Sequence, residues 1–168
     1  MEKNYYKNIE FWKWNPPATR EQIAQTEQSF GAEFPDDFRD FLLTMNGGQI
    51  STDPSFMASD HGAKPRLRTL KQLFGVEPSE SDTISSELWA YELNERIPDL
   101  IVPIGILTAS YRMCLSLRDN DYGHIYMWGP RHLSSGNEEL PNEKNMEDLF
   151  FVAKSFTDFL NLLKPKPE

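Results

Sequence analysis

One cysteine, Cys114, is all the sequence contains, which excludes an internal disulfide framework and any multi-cysteine zinc site. No apolar run approaches the roughly 18–20 residues that a membrane-crossing helix needs. Residues 1–14 lack the apolar h-region of a secretory leader. With a lone thiol, the expectation is a reducing, cytoplasmic setting. Basic residues are also scarce: 17 Lys+Arg stand against 26 Asp+Glu, a net charge of −9. Phosphate recognition needs a basic footprint, so neither nucleic acid nor an anionic membrane is an expected partner.

The chemistry-bearing motifs are missing as well. The three histidines, His61, His124 and His132, show no i, i+4 pair and no HExxH, so no metal site is expected. No Gly-Lys-Ser/Thr occurs, and Gly47-Gly48 follows a helical pattern instead of preceding one, so it reads as a helix stop and turn. GxSxG is absent too. Carboxylate pairs carry no information in a chain with 26 acids. Nothing nominates a catalytic residue or a cofactor, and an enzyme is not expected.

What is present is aromatic. Eleven Phe, six Tyr and four Trp supply enough apolar area for a core in 168 residues. Tyr5, Tyr6, Phe11, Trp12 and Trp14 make residues 1–17 an aromatic arm that should dock on a domain spanning 18–164, with a short tail at 165–168. Thr19 and Gln22 form a capping box for a helix to about Phe30, with Ile23, Ala24 and Phe30 inward and Gly31 ending it. Pro35, Asp36 and Asp37 open a second helix. Its apolar stripe, Phe38, Phe41, Leu42 and Met45, recurs at i, i+3, i+4 and i+7, and Asn46-Gly47-Gly48 stops it.

The period then changes. Residues 49–66 read mainly as loop with a short strand, 67–74 as a strand, and 83–95 as a third helix. Leu100–Leu107 is a β-rich run, Tyr111–Leu117 alternates, and His124–Trp128 is a further strand across a polar turn, a meander of antiparallel sense. Cys114 lies within it as a half-buried structural thiol. Ser155 and Asp158 cap a last short helix carrying Phe156, Phe159, Leu160 and Leu163. Helices, then strands, then a helix indicate an α+β fold with an antiparallel sheet packed against helices.

Charge distribution is the remaining signal. Residues 77–99 carry a net −6 and residues 138–148 a net −4. An acidic face of this kind steers a basic protein toward it. The candidate partner contacts are Glu138, Glu139 and Glu143 in the long loop, Asp119 and Asp121 in the turn, and Tyr126 and Trp128 as aromatic anchors. Trp128 reads equally well as a residue that packs the sheet.

Order and spacing complete a pattern. Phe34-Pro35-Asp36-Asp37-Phe38-Arg39-Asp40-Phe41-Leu42, Asn46-Gly47-Gly48, Ile97-Pro98-Asp99, Cys114-Leu115-Ser116-Leu117, Gly123-His124-Ile125-Tyr126-Met127-Trp128 and Ser155-Phe156 with Phe159-Leu160 follow one another. Over residues 18–163 this resembles the SUKH superfamily, the Smi/Knr-like domain. Phe38 stands where that family often has Tyr, and Ala109-Ser110-Tyr111-Arg112 replaces its usual Gly-Asn turn. The resemblance implies a single α+β domain without accepted catalytic residues. It implies for bacterial members an intracellular immunity protein that binds a polymorphic or contact-dependent toxin, often a nuclease. Fungal members imply the alternative, a regulatory scaffold in cell-wall synthesis or signalling. A nuclease toxin is basic to hold phosphate, and an acidic chain suits it as a partner.

Overall fold

Two short sequence signals start the chain's first two helices. In the computed structural model, which describes residues 4–60, 62–76, 83–84, 97–129 and 148–167, Gln22 N–H donates to Thr19 Oγ1 at 3.1 Å and Thr19 N–H donates to Gln22 Oε1 at 2.9 Å. That complete capping box opens α1 (Arg20–Phe30). Gly31 ends it at φ 75°, and its N–H returns to the carbonyls of Glu27 and Gln28. α2 (Asp36–Thr44) follows Pro35 and buries Phe38, Phe41, Leu42 and the adjoining Met45. α3 (Phe156–Leu162) is capped by Ser155 Oγ, which accepts from Asp158 N–H at 3.0 Å. Asp158 makes no return bond among the described residues. A tertiary cap is added instead, because Asp37 Oδ2 accepts from Thr157 N–H and Oγ1 at 2.8 and 2.9 Å.

The inner face of α1 differs from the expected one. Ile23, Thr26 and Glu27 are buried, while Ala24 is exposed. At 100° per residue, positions 23, 26, 27 and 30 share one stripe. Glu27 is tolerated there because its carboxylate is paired, as described below.

The strands are β1 (Asn4–Tyr6), β2 (Ile9–Trp14), β3 (Gly48–Ile50), β4 (Pro54–Ala58), β5 (Arg66–Leu73), β6 (Ile101–Leu107), β7 (Arg112–Ser116), β8 (Ile125–Trp128), β9 (Leu149–Ala153) and β10 (Lys164–Pro165). They form one antiparallel sheet in the order β1-β2-β3-β5-β6-β7-β8-β9, with β4 on the first half of β5 and β10 on β4. The sheet curls at β5, which pairs β4 through Ser55↔Thr69 and Met57↔Leu67, then β3 and β6 through its second half. The segment expected to be mainly loop therefore holds two strands, β3 and β4. Each is five residues or fewer, too short to show an alternation. The third helix expected at 83–95 lies outside the described residues except for Thr83 and Ile84.

Residues 4–14 are a hairpin whose second strand pairs β3. Its Tyr6 ring meets Phe41 edge-on at 5.0 Å. Phe34, Phe38, Phe41 and Phe156 continue this chain of rings, with Phe34–Phe38 at 5.3 Å and Phe38–Phe156 at 5.1 Å. The main core joins them to Leu70, Val102, Ile104, Met113, Leu115, Ile125 and Met127 from one face of the sheet. No helix among the described residues is long and apolar enough to cross a membrane.

Candidate functional site

The opposite face of β6–β9 carries a second, smaller apolar cluster of Ile97, Ile101, Cys114, Tyr126, Trp128 and Leu149. Period-two alternation puts it there, since Met113, Leu115, Ile125 and Met127 face the helices and their neighbours must face away. Cys114 pairs with Tyr126, and Trp128 pairs with both Arg112 and Leu149. Cys114 is fully buried, beyond the half-burial expected from its position.

The turn between β7 and β8 is closed by its own charges. Gly123, at φ 86°, donates its N–H to Ser116 O, and His124 N–H donates to Asp121 O. This lets the chain reverse between Ser116 and Ile125 around a 3-10 turn over Asp119–Asp121. The Asp121 carboxylate accepts from Ser116 Oγ, from Arg118 Nε at 3.1 Å, from Arg118 Nη2 and from the Tyr126 hydroxyl at 2.6 Å. Burial alone pushes this carboxyl up. The bonds from Arg118, Ser116 and Tyr126 outweigh it and hold Asp121 well below the usual carboxylate range. Burial, then the bond to Asp121, pushes the Tyr126 phenol up to about 12.

These directions predict a pH dependence. A depressed carboxylate contributes stability that is present above its unfolded value of 3.8 and is lost as pH falls through the folded value. Asp121→Asn is expected to cost about 2–4 kcal/mol at pH 7, because Arg118, Ser116 and Tyr126 lose a charged acceptor. In urea titrations the gap to the parent should close as the pH is taken below 3.8. A gap that is constant with pH would show that the carboxylate's charge contributes nothing.

The predicted contacts separate into three groups. Asp119 is exposed at the turn. Asp121, Tyr126 and Trp128 are brought together on the outer sheet face, yet they are 7, 8 and 3% exposed, and the first two are bonded to each other. Trp128 Nε1 is buried and has no hydrogen-bond acceptor among the described residues. Glu138, Glu139 and Glu143 lie outside the described residues, as does most of each acidic cluster.

Two surface groups and one interior group went unread in the sequence. Phe151 in β9 is 55% exposed and meets His124 edge-on at 5.4 Å and Tyr126 at 6.1 Å. Tyr122, 46% exposed, donates its hydroxyl to Glu33 O at 2.7 Å. Strict alternation across Leu149–Ala153 would have pointed Phe151 to the outer face; Tyr122 in a polar turn offered no signal. A third group, Arg68 with Asp60 and Tyr111, is interior: the guanidinium sits 4.4 Å from the Tyr111 ring and 3.3 Å from Asp60, which also accepts the Tyr111 hydroxyl. Among the described residues no group of three or more His, Cys, Asp or Glu is placed to hold a metal ion.

Comparison with known proteins adds two findings. The family model described as SMI1 / KNR4 family (SUKH-1) matches residues 17–162. The chain is also similar to the SPbeta prophage-derived uncharacterized protein YokK of Bacillus subtilis (strain 168). The two are 24% identical over 162 residues, covering 89% of this chain and 76% of that protein.

Proposed function

Because this chain belongs to the SMI1 / KNR4 family (SUKH-1), we propose that it is a non-enzymatic binding protein of the immunity type, which neutralises a basic protein toxin inside the cell by direct contact. The observation that carries this reading is the acidic excess, net −9, combined with exposed aromatic rings on rigid elements. Tyr122 lies in the β7–β8 turn and Phe151 in β9, and Asp119 stands exposed in the same turn as Tyr122. Aromatic anchors within a charged rim are the usual make-up of a tight protein interface. A phosphate-binding toxin supplies the opposite charge. The prophage derivation of the similar B. subtilis protein, stated in its name, suits a gene carried with a toxin.

Co-expression with the adjacent gene tests the proposal. The neighbour should kill a susceptible host alone, be tolerated with this protein, and co-purify with it. Asp119→Lys should then lower the association rate several-fold at low salt and leave unfolding unchanged, since a rim charge acts on encounter. A neighbour that is harmless, or that still kills, removes the immunity reading and leaves the regulatory scaffold.

A further inference from the structure

Glu27 is an acidic residue on the buried face of α1, 8% exposed. Its Oε2 accepts from Phe34 N–H at 3.0 Å and from Arg39 Nη2 at 2.8 Å. Its Oε1 accepts from no described residue and is open to solvent, not sealed in the core. Glu27 lines a cavity of about 370 Å³ together with Ala24, Gln28, Gly31, Ala32 and Glu33. Oε1 is therefore an unpaired acceptor on a largely buried side chain at the wall of a cavity.

The surroundings are electronegative beyond that atom. Arg39 lies within 4 Å of three carboxylates: Glu27, Glu33 at 3.9 Å and Asp36 at 3.6 Å. One guanidinium against three acids leaves a local surplus of two negative charges. α1 also ends here, with no basic residue in its last turn to offset the negative end of its dipole. The small residues Ala24, Gly31 and Ala32 leave an apolar floor, and a Cβ at Gly31 would meet nothing within 4 Å. The exposed Tyr122 ring is fastened to the rim through Glu33 O.

We propose that this cavity receives a lysine or arginine side chain of a protein partner, its methylenes on Ala24, Gly31 and Ala32 and its cation on Glu27 and Glu33. A long basic side chain with an apolar stem and a charged head matches that division. The inference rests on the reading of this chain as a binder of a basic protein, and it names the part of that partner that is recognised here.

Titration of the ¹⁵N-labelled full chain with methylguanidinium, with n-butylammonium and with urea, at constant ionic strength, tests it. Both cations should give saturable shifts at the amides of Gln28, Gly31, Ala32 and Glu33; urea, the neutral isostere of guanidinium, should give none. Ala24→Leu fills the cavity from an exposed helix position and should weaken cation binding about tenfold or more, the scale of one lost close charge contact. Glu27→Gln keeps an oxygen for Phe34 N–H and should weaken it likewise; if that variant unfolds, Glu33→Gln is used in its place. Shifts spread evenly over all surface carboxylates, or unchanged in Ala24→Leu, would overturn the site. A toxin neutralised equally well by Ala24→Leu would also overturn it while leaving the immunity reading intact. Localised cation binding without a toxic neighbour would support the site and remove the toxin.

Discussion

Phe41→Ala is expected to cost on the order of 3–5 kcal/mol, the range for removing a fully buried phenylalanine ring. Phe41 has no exposed surface. Its ring meets Tyr6 of β1 at 5.0 Å, Phe38 of α2 at 5.8 Å and Phe156 of α3 at 5.5 Å. Two elements distant in sequence, β1 and α3, converge with its own helix on one side chain, so no single movement closes the space it would leave. Aromatic contacts at these distances add about 0.5–1.5 kcal/mol per pair beyond burial. Urea unfolding gives the number directly. A loss below about 1 kcal/mol would mean that the α2 face is not the core it is described as. The hairpin makes a sharper internal control: Tyr6→Phe keeps the ring and removes only the hydroxyl that donates to Asp40 at 3.1 Å, so it should cost far less.

Asn46→Ala should be nearly as damaging, for a polar reason. Asn46 is fully buried, and its side chain behaves as a piece of β-strand. Nδ2 donates to Val76 O at 2.6 Å, and Oδ1 accepts from Val76 N–H at 2.7 Å. Its own carbonyl accepts from Asn15 Nδ2 at 2.9 Å. Truncation leaves both backbone groups of buried Val76 without those partners. At about 1–3 kcal/mol for each stranded group, the loss should be about 2–5 kcal/mol. Faster hydrogen exchange at the Val76 amide should accompany it. An amide that stays protected while stability falls would locate the damage elsewhere. Gly75→Ala provides the steric counterpart, because a Cβ at Gly75 would lie 2.0 Å from Asn46 O. Gly47→Ala meets the backbone of Phe74 and Gly75 and also sits at φ 83°, so the motif has no spare room on either side.

The Asn46-Gly47-Gly48 motif shows where local reading stops. As a helix stop it is legible, since Asn and Gly tolerate the conformations that end a helix. That the asparagine pairs with the backbone of Val76, beyond the end of β5, and that the glycines are required by backbone packed against them, depends on segments far away in the chain. The same division holds for Asp37. Its place in the first turn of α2 follows from helix electrostatics, whereas its role as a cap for α3 requires the two helices to meet.

The candidate site divides in the same way. The sequence by itself determined the α+β class, the three helix starts, the stripe of α2, the β7–β8 meander and the two-faced alternation that sends Tyr126 and Trp128 away from the helices. Each follows from interactions within a few residues: caps, turns and hydrophobic period. Only the tertiary structure decided what those side chains are free to do. It spent Asp121 and Tyr126 on Arg118, Ser116 and each other, and buried Trp128. It left Phe151 and Tyr122 on the surface and drew Glu27 inward to Arg39. A carboxylate is the same letter whether it is solvated, paired or open to a cavity. Which of these it becomes is set by what the fold places within hydrogen-bonding distance and by how much water is excluded there.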